Sequence, residues 1–281
     1  METKKNRSTF SGKVGFVLAA AGSAVGLGNL WRFPYLAAKY GGGIFLFVYI
    51  VLAVTFGFTL MATEIAIGRK TRLSPMAAFG ALNKKWSWMG KLVTLVPVLI
   101  LPYYCVIGGW VTKYTATMIS GAVQDAAGDN YFSTFISGTG EPLLWFLLFM
   151  TATAVIVFLG VEKGIEKFSR VLMPALLILT VLLSIFVVSR PGAGAGVAYY
   201  LKPNFSKLSM MTVLAALGQL FFSMSLAMGI MITYGSYLRK QDHIEQSVRQ
   251  IEVFDTLVAF LAGLMIVPAV FVYSGGDESA L

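Results

Sequence analysis

"AAAGSAVGLGNLWRFPYLAAKYGGG", residues 19–43, decides how this chain is read. Its apolar content suits a membrane-spanning helix. Its glycines at 22, 26 and 28, its Pro34, and the polar Asn29 and Arg32 do not. Inside a helix glycine costs about 1 kcal/mol and proline about 3 kcal/mol relative to alanine. In hydrocarbon every freed backbone N–H and C=O needs a partner, so a broken helix is tolerated only where it lines a buried cavity. The stretch therefore predicts a first span interrupted near its middle, with a cavity beside the interruption. Close packing of a glycine-rich helix on its neighbours would explain the glycines alone. Adding Asn29, Arg32 and Pro34 argues for more than packing, because a charge inside the membrane is costly.

The rest of the chain fits a membrane setting. It has 281 residues, of which 57% are hydrophobic and 12% charged. Several uncharged apolar stretches exceed the ~18 residues needed to cross a bilayer. Seven spans are predicted, at 13–38, 42–67, 90–120, 142–160, 168–189, 210–238 and 250–273. Basic residues gather in alternate connections: Lys4, Lys5 and Arg7; Arg69, Lys70, Arg72, Lys84 and Lys85; Lys163, Lys167 and Arg170; Arg239, Lys240 and Arg249. The third connection, "GAVQDAAGDNYFSTFISGTGE", carries Asp125, Asp129 and Glu141 and no Lys or Arg. The positive-inside rule then places the N-terminus in the cytoplasm and the end of this chain outside. Arg190, Lys202 and Lys207 in the fifth connection go against the pattern. Topology thus accounts for the net charge of +9 without nucleic acid. The first ten residues are polar and basic, and no cleavable signal peptide follows them.

Other chemistries find little support. The lone Cys105 excludes a disulfide within the chain. Histidine, cysteine and acidic residues do not cluster at transition-metal spacing. Residues 250–273 contain no lysine for a retinal-type Schiff base. A membrane enzyme would need a nucleophile–base pair or a metal set, and none is visible.

A second interruption falls in the sixth span, "LAALGQLFFSMSLAMGIMITYGSYL", residues 214–238, with Gln219, Ser223, Ser225 and Gly229. Matched interruptions in two halves point to the binding site of an inverted-repeat transporter. Carbonyls freed near Gly22 to Val25 would face a small cation. The N–H groups at Leu27 and Gly28, opening the next half-helix, would hold an anionic group. Asn29 offers a neutral oxygen suited to a hard cation such as sodium. Two acidic residues in spans are functional candidates. Glu64 is expected to face the break of the first span and accept from its loose N–H groups, or else to sit at the interface near Arg69. Asp255, about one turn into the seventh span, either adds a charged oxygen to a cation site or lies at the water boundary. Tyr103 and Tyr104 fall well inside the third span, where a hydroxyl needs a partner. A substrate carboxylate would serve.

Five stretches together resemble the neurotransmitter:sodium symporter family, especially its bacterial amino-acid transporters. They are "GSAVGLGNLWRFPY" at 22–35, "GGGIFLFVYI" at 41–50, "EIAIGR" at 64–69, "GQLFFSMSLAMG" at 218–229 and "AGLMIVPAVF" at 262–271. The resemblance implies an all-α polytopic membrane protein with the inverted-repeat sodium symporter fold, broken in helices one and six. It implies sodium-coupled symport of neutral, apolar amino acids, and no enzyme activity. The backbone at Leu27 and Gly28 and the Tyr104 hydroxyl would take the substrate carboxylate. Ala24, Ile100, Phe222, Ser225 and Met228 would shape the side-chain pocket, with Phe222 as its roof. One sodium would be held by the Ala24 carbonyl, Asn29, Ser223 and the substrate carboxylate. A second would use the carbonyls of Gly22 and Val25. Asp255 matches, to within a residue, a sodium-ligand position of helix seven, and its fixed charge there would make chloride unnecessary. Arg32 and Gln219 would belong to an external gate, and Arg7, Ser236 and Tyr237 to an internal one.

Two features depart from the family pattern. Phe10 stands where members usually carry a tryptophan. The family has eleven or twelve helices, and this sequence is expected to hold about seven. The division is then a cytoplasmic tail at 1–12, a first five-helix repeat at 13–190 and the start of a second at 191–281. The eighth and tenth helices, expected to complete the second sodium site and to pair Arg32, are not among them. A chain that does not transport alone, or that needs a partner half, is the other expectation. The inner (plasma) membrane would be its place, with the lipid bilayer and a small amino acid as partners. The oligomeric state is left open.

Overall fold

Helix breakers and polar residues divide this sequence into helices of very unequal length. The computed structural model describes residues 13–275, except 129 and 240. Arg7, Phe10, Asp129 and Lys240 lie outside the described residues, as does the segment from 276 onward. The first predicted span is a bent pair, α1 (Lys13–Ala24) and α2 (Gly28–Lys39), with a 48° change of direction between them. The helix stops at Val25 and Gly26. α2 opens with a π-helical turn, Gly28–Arg32, and Pro34 falls at the start of the α-helical part that follows.

Gly41 and Gly42, at φ +92° and +59°, turn the chain into α3 (Gly43–Thr71), which widens into a π turn at Ala53–Gly57. The short α4 (Pro75–Leu82) leads to α5 (Lys84–Ile119), which carries Pro97 and Pro102 in its interior. Two short helices, Val123–Ala126 and Tyr131–Ser137, precede α6 (Gly140–Phe158). α7 (Val161–Val188) opens with a third π turn at Val161–Glu166. After α8 (Ala193–Leu201) come α9 (Met210–Ser223), α10 (Ile230–Tyr237) and α11 (Ile244–Tyr273). No strand forms among the described residues beyond a single bridge between Gly42 and Pro203.

Five of these helices are long and apolar enough to cross a membrane, and the bent pair α1–α2 makes a sixth. The sixth span, 210–238, is interrupted, as its sequence predicts. It is α9 and α10, parted by residues 224–229, and neither piece is long enough to span alone. Ser225 (φ +54°), Ala227 (φ +58°) and Gly229 (φ +71°) all take left-handed backbone there, which an α-helix cannot include. One correction concerns α11, which starts at Ile244 and not near 250. Hydropathy marks only its apolar part, and its polar first turns continue the helix. Asp255 is therefore about three turns inside at 3.6 residues per turn, and it is fully buried.

The core lies where α1, α2, α3, α9 and α11 meet, with Phe16, Phe33, Phe45, Tyr49, Met61 and Leu220 fully buried. α6 buries none of its apolar window among the described residues. Small residues let α3 and α10 approach backbone to backbone. A Cβ at Gly68 would run into the carbonyl of Ile232, and one at Gly235 into that of Ile65.

Candidate functional site

The two interruptions face each other. Gln219 on α9 donates through Nε2 to the Gly28 carbonyl at 2.8 Å. A Cβ on Gly28 would lie 3.1 Å from a Phe222 ring carbon and 3.5 Å from the Ser223 Cα, so glycine is what lets α2 and α9 close up here. Ser225 lies 3.4 Å from the Ser23 carbonyl oxygen.

Asp255 draws the elements together. Its carboxylate is fully buried and accepts from three side chains on three other helices. Asn29 Nδ2 on α2 donates to Oδ1 at 2.8 Å and to the Asp255 carbonyl at 3.0 Å. Ser223 Oγ on α9 lies 2.9 Å from Oδ1 and 3.1 Å from Oδ2. Tyr49 on α3 donates its hydroxyl to Oδ2 at 3.1 Å. Asn29 Oδ1 in turn accepts the N–H of Gly26, in the break itself, at 3.1 Å. A bare carboxylate in a low-dielectric interior is strongly disfavoured unless it is paired or well hydrogen-bonded. The donors ease that cost, and a bound cation would reduce it further. Ser223 and Asp255 bring hard oxygens together here, the type that suits sodium rather than a soft metal, while Asn29 turns its amide nitrogen to the carboxylate and its oxygen to the Gly26 N–H.

Glu64 behaves differently from the expectation. It does not serve the first break. Its Oε1 accepts the N–H of Ala227 in the second break at 2.6 Å, while Oε2 is buried without a partner. The physical reason is the left-handed turn at Ser225 and Ala227, which presents that N–H to α3. Two non-glycine residues in this conformation cost about 1–2 kcal/mol each, and such strain persists only where the surroundings over-determine it.

Phe222 has two close neighbours. The Arg32 guanidinium lies 4.9 Å from its ring centroid, and the Tyr104 ring 5.9 Å from it. Arg32 also reaches the Gly218 carbonyl at 3.4 Å. Two cavities, of about 400 and 560 Å³, share Leu27. One is lined by Arg32, Tyr103 and Phe222, the other by Gly26, Tyr104 and Gly108. Ala24 and Val25 are buried beside the break, and Gly22 packs against Ser169 of α7, whose Oγ a Cβ there would approach to 2.9 Å. Ile100 on α5 and Met228 in the second break are partly exposed. At the other end Arg72 donates to the Ser236 carbonyl at 3.0 Å, and Tyr237 packs against the core. Arg7 lies outside the described residues.

Tyr49 is the site residue that the sequence reading missed. The signal was present: a single hydroxyl in the aliphatic and aromatic run "GIFLFVYIVL" needs a buried partner.

Comparison with known proteins bears on the family and the fold. The chain matches the sodium:neurotransmitter symporter family model over residues 7–136 and 130–275. It is 38% identical over 267 residues to the uncharacterized sodium-dependent transporter YhdH of Bacillus subtilis, covering 93% of this chain and 59% of that protein. It is 28% identical over 295 residues to the sodium-dependent neutral amino acid transporter B(0)AT1 of Mus musculus, covering 94% of this chain and 46% of that one. The crystal structure of MhsT in complex with L-phenylalanine superposes with a TM-score of 0.90 at 38% identity, covering 98% of this chain and 64% of MhsT. The chain thus spans about half to two thirds of the length of these relatives, and the two curated ones are named as sodium-dependent transporters. With the family model covering nearly all its residues and the fold shared with MhsT, the chain belongs to the sodium:neurotransmitter symporter family.

Proposed function

We propose that this chain carries the sodium- and substrate-binding core of a sodium-coupled symporter for neutral, apolar amino acids. The observation that carries the reading is the buried Asp255 carboxylate, gripped by Asn29 and Ser223 where the two interrupted spans meet. In this reading a sodium ion sits among Asp255, Asn29, Ser223 and the Ala24 carbonyl, and Gly22 and Val25 serve a second. The substrate carboxylate binds at Leu27, Gly28 and Tyr104 and completes the first sodium's shell. Each ligand then raises the other's affinity by the same factor. Ile100, Phe222, Ser225 and Met228 bound the side chain, and the apolar ones among them favour an apolar substrate. The name of B(0)AT1 and the phenylalanine bound to MhsT support that class.

Asp255 supplies a fixed negative charge beside the first sodium, so chloride is not required. Arg32 and Gln219 act in the outer gate, and Arg7, Ser236 and Tyr237 in the inner one. The chain sits in the plasma membrane with its N-terminus in the cytoplasm, residues 13–190 forming the first repeat and the second beginning at 191. Uptake of labelled phenylalanine or leucine into proteoliposomes tests this. A sodium gradient should accelerate it at least tenfold over choline, and equal uptake in choline would overturn the coupling. A second reading has these helices act with a partner half and not transport alone. Absence of uptake by the chain together with sodium-dependent substrate binding would select that reading.

A further inference from the structure

We infer that the surface formed by the end of α3, α4 and the start of α5 binds the headgroups of anionic phospholipids. Residues 65–91 contain six cations, Arg69, Lys70, Arg72, Lys84, Lys85 and Lys91, and no Asp or Glu. Two of these have structural duties. Arg69 donates to the Asp242 carbonyl at 2.7 Å and Arg72 to that of Ser236 at 3.0 Å, tying this region to the end of α10 and the turn after it. Lys70, Lys84, Lys85 and Lys91 are exposed, and among the described residues none of them forms an ion pair.

Large apolar side chains stand among these lysines. Met76, Trp86 and Trp88 are 54%, 45% and 52% exposed, and the two indole rings lie 6.3 Å apart. A soluble face would not keep two bare tryptophans, and a lipid-facing flank would not keep four lysines. One environment suits both: the plane where hydrocarbon meets phosphate. Indoles concentrate at that level, and lysine stems lie along apolar surface while their ammonium groups reach outward. Each lysine near an anionic bilayer surface strengthens attachment about fivefold. The occupant that matches the charge and the aromatic rim is therefore an acidic phospholipid such as phosphatidylglycerol. This site is separate from the Asp255 cluster and does not depend on which way the chain crosses the membrane.

The test uses the purified chain in detergent, offered equal amounts of phosphatidylglycerol and phosphatidylcholine with identical acyl chains. Native mass spectrometry then counts the lipids retained. The wild type should hold phosphatidylglycerol in excess, and the excess should shrink as salt rises. K84E/K85E should lower phosphatidylglycerol retention more than tenfold. W86A/W88A should lower it severalfold with the charge unchanged. All four side chains are exposed, so the fold should survive, and a thermal melt checks this. Equal retention of the two lipids by the wild type, or wild-type retention by K84E/K85E, would overturn the proposal. So would loss in the lysine variant without loss in the tryptophan variant, which marks a site for a soluble acidic partner.

Discussion

The Asn29 amide nitrogen lies 2.8 Å from Oδ1 of Asp255, joining the break in the first span to the middle of α11 across 226 residues of sequence. The same nitrogen also donates to the Asp255 carbonyl at 3.0 Å. One side chain thus holds both the backbone and the charge of its partner. Hydrogen bonds to charged groups contribute about 1.5–3 kcal/mol each, and orphaning a buried acceptor costs a similar amount. Asn29→Ala should therefore destabilise the chain by about 2–3 kcal/mol on that scale. Thermal unfolding in detergent, without sodium, measures it. A melting temperature equal to that of the wild type would show that the junction is held by packing alone.

Asp255→Asn removes the charge and keeps the shape. If the carboxylate stands in for an anion beside sodium, the variant should acquire a chloride requirement. Substrate binding in sodium gluconate should fall at least tenfold against sodium chloride, while the wild type binds equally in both. Unchanged sodium and chloride dependence in the variant would remove the electrostatic role assigned to Asp255.

Gly68 and Gly235 let α3 and α10 touch through their backbones. Gly68→Ala would press a methyl group onto the Ile232 carbonyl, which cannot retreat as a flexible side chain can. Overpacking of this kind typically costs about 1–3 kcal/mol. Gly26→Ala meets nothing within 4 Å and should be far milder in a melt. Equal effects of the two substitutions would contradict the close helix contact.

Glu64 holds the strained turn of the second break through the Ala227 N–H. Glu64→Ala should free that turn, lower stability by about 1–3 kcal/mol as a buried donor loses its partner, and weaken substrate binding. Ala227→Gly should relieve about 1–2 kcal/mol of left-handed strain and partly restore the melting temperature of Glu64→Ala. A double variant no more stable than Glu64→Ala would show that the strain is not what Glu64 offsets.

Both helix breaks were legible in the sequence because their breakers are local. Gly22, Gly26 and Gly28 with Pro34, and Ser223, Ser225 and Gly229, announce themselves within a few residues. Asn29, Ser223 and Asp255 were legible too, because polar oxygens inside apolar spans need partners. Which partners they find is a matter of tertiary packing. Glu64 was matched to the wrong break, since nothing in "MATEIAIGR" says which neighbour presents a free N–H. Tyr49 was passed over for the same reason. The π turns at 53–57 and 161–166 leave no mark in the apolar pattern, because one extra residue per turn shifts a face without changing composition. The polar first turns of α11 look like a loop to hydropathy, which hid that Asp255 lies about three turns into that helix.

The central claim is that sodium binds among Asn29, Ser223 and Asp255. Saturation binding of radioactive sodium to the purified chain, competed with unlabelled sodium or potassium, tests it most directly. The wild type should bind saturably and yield to sodium but not to potassium. Asp255→Ala and Ser223→Ala should each weaken that binding at least tenfold. A wild-type binding curve in Asp255→Ala would contradict the account.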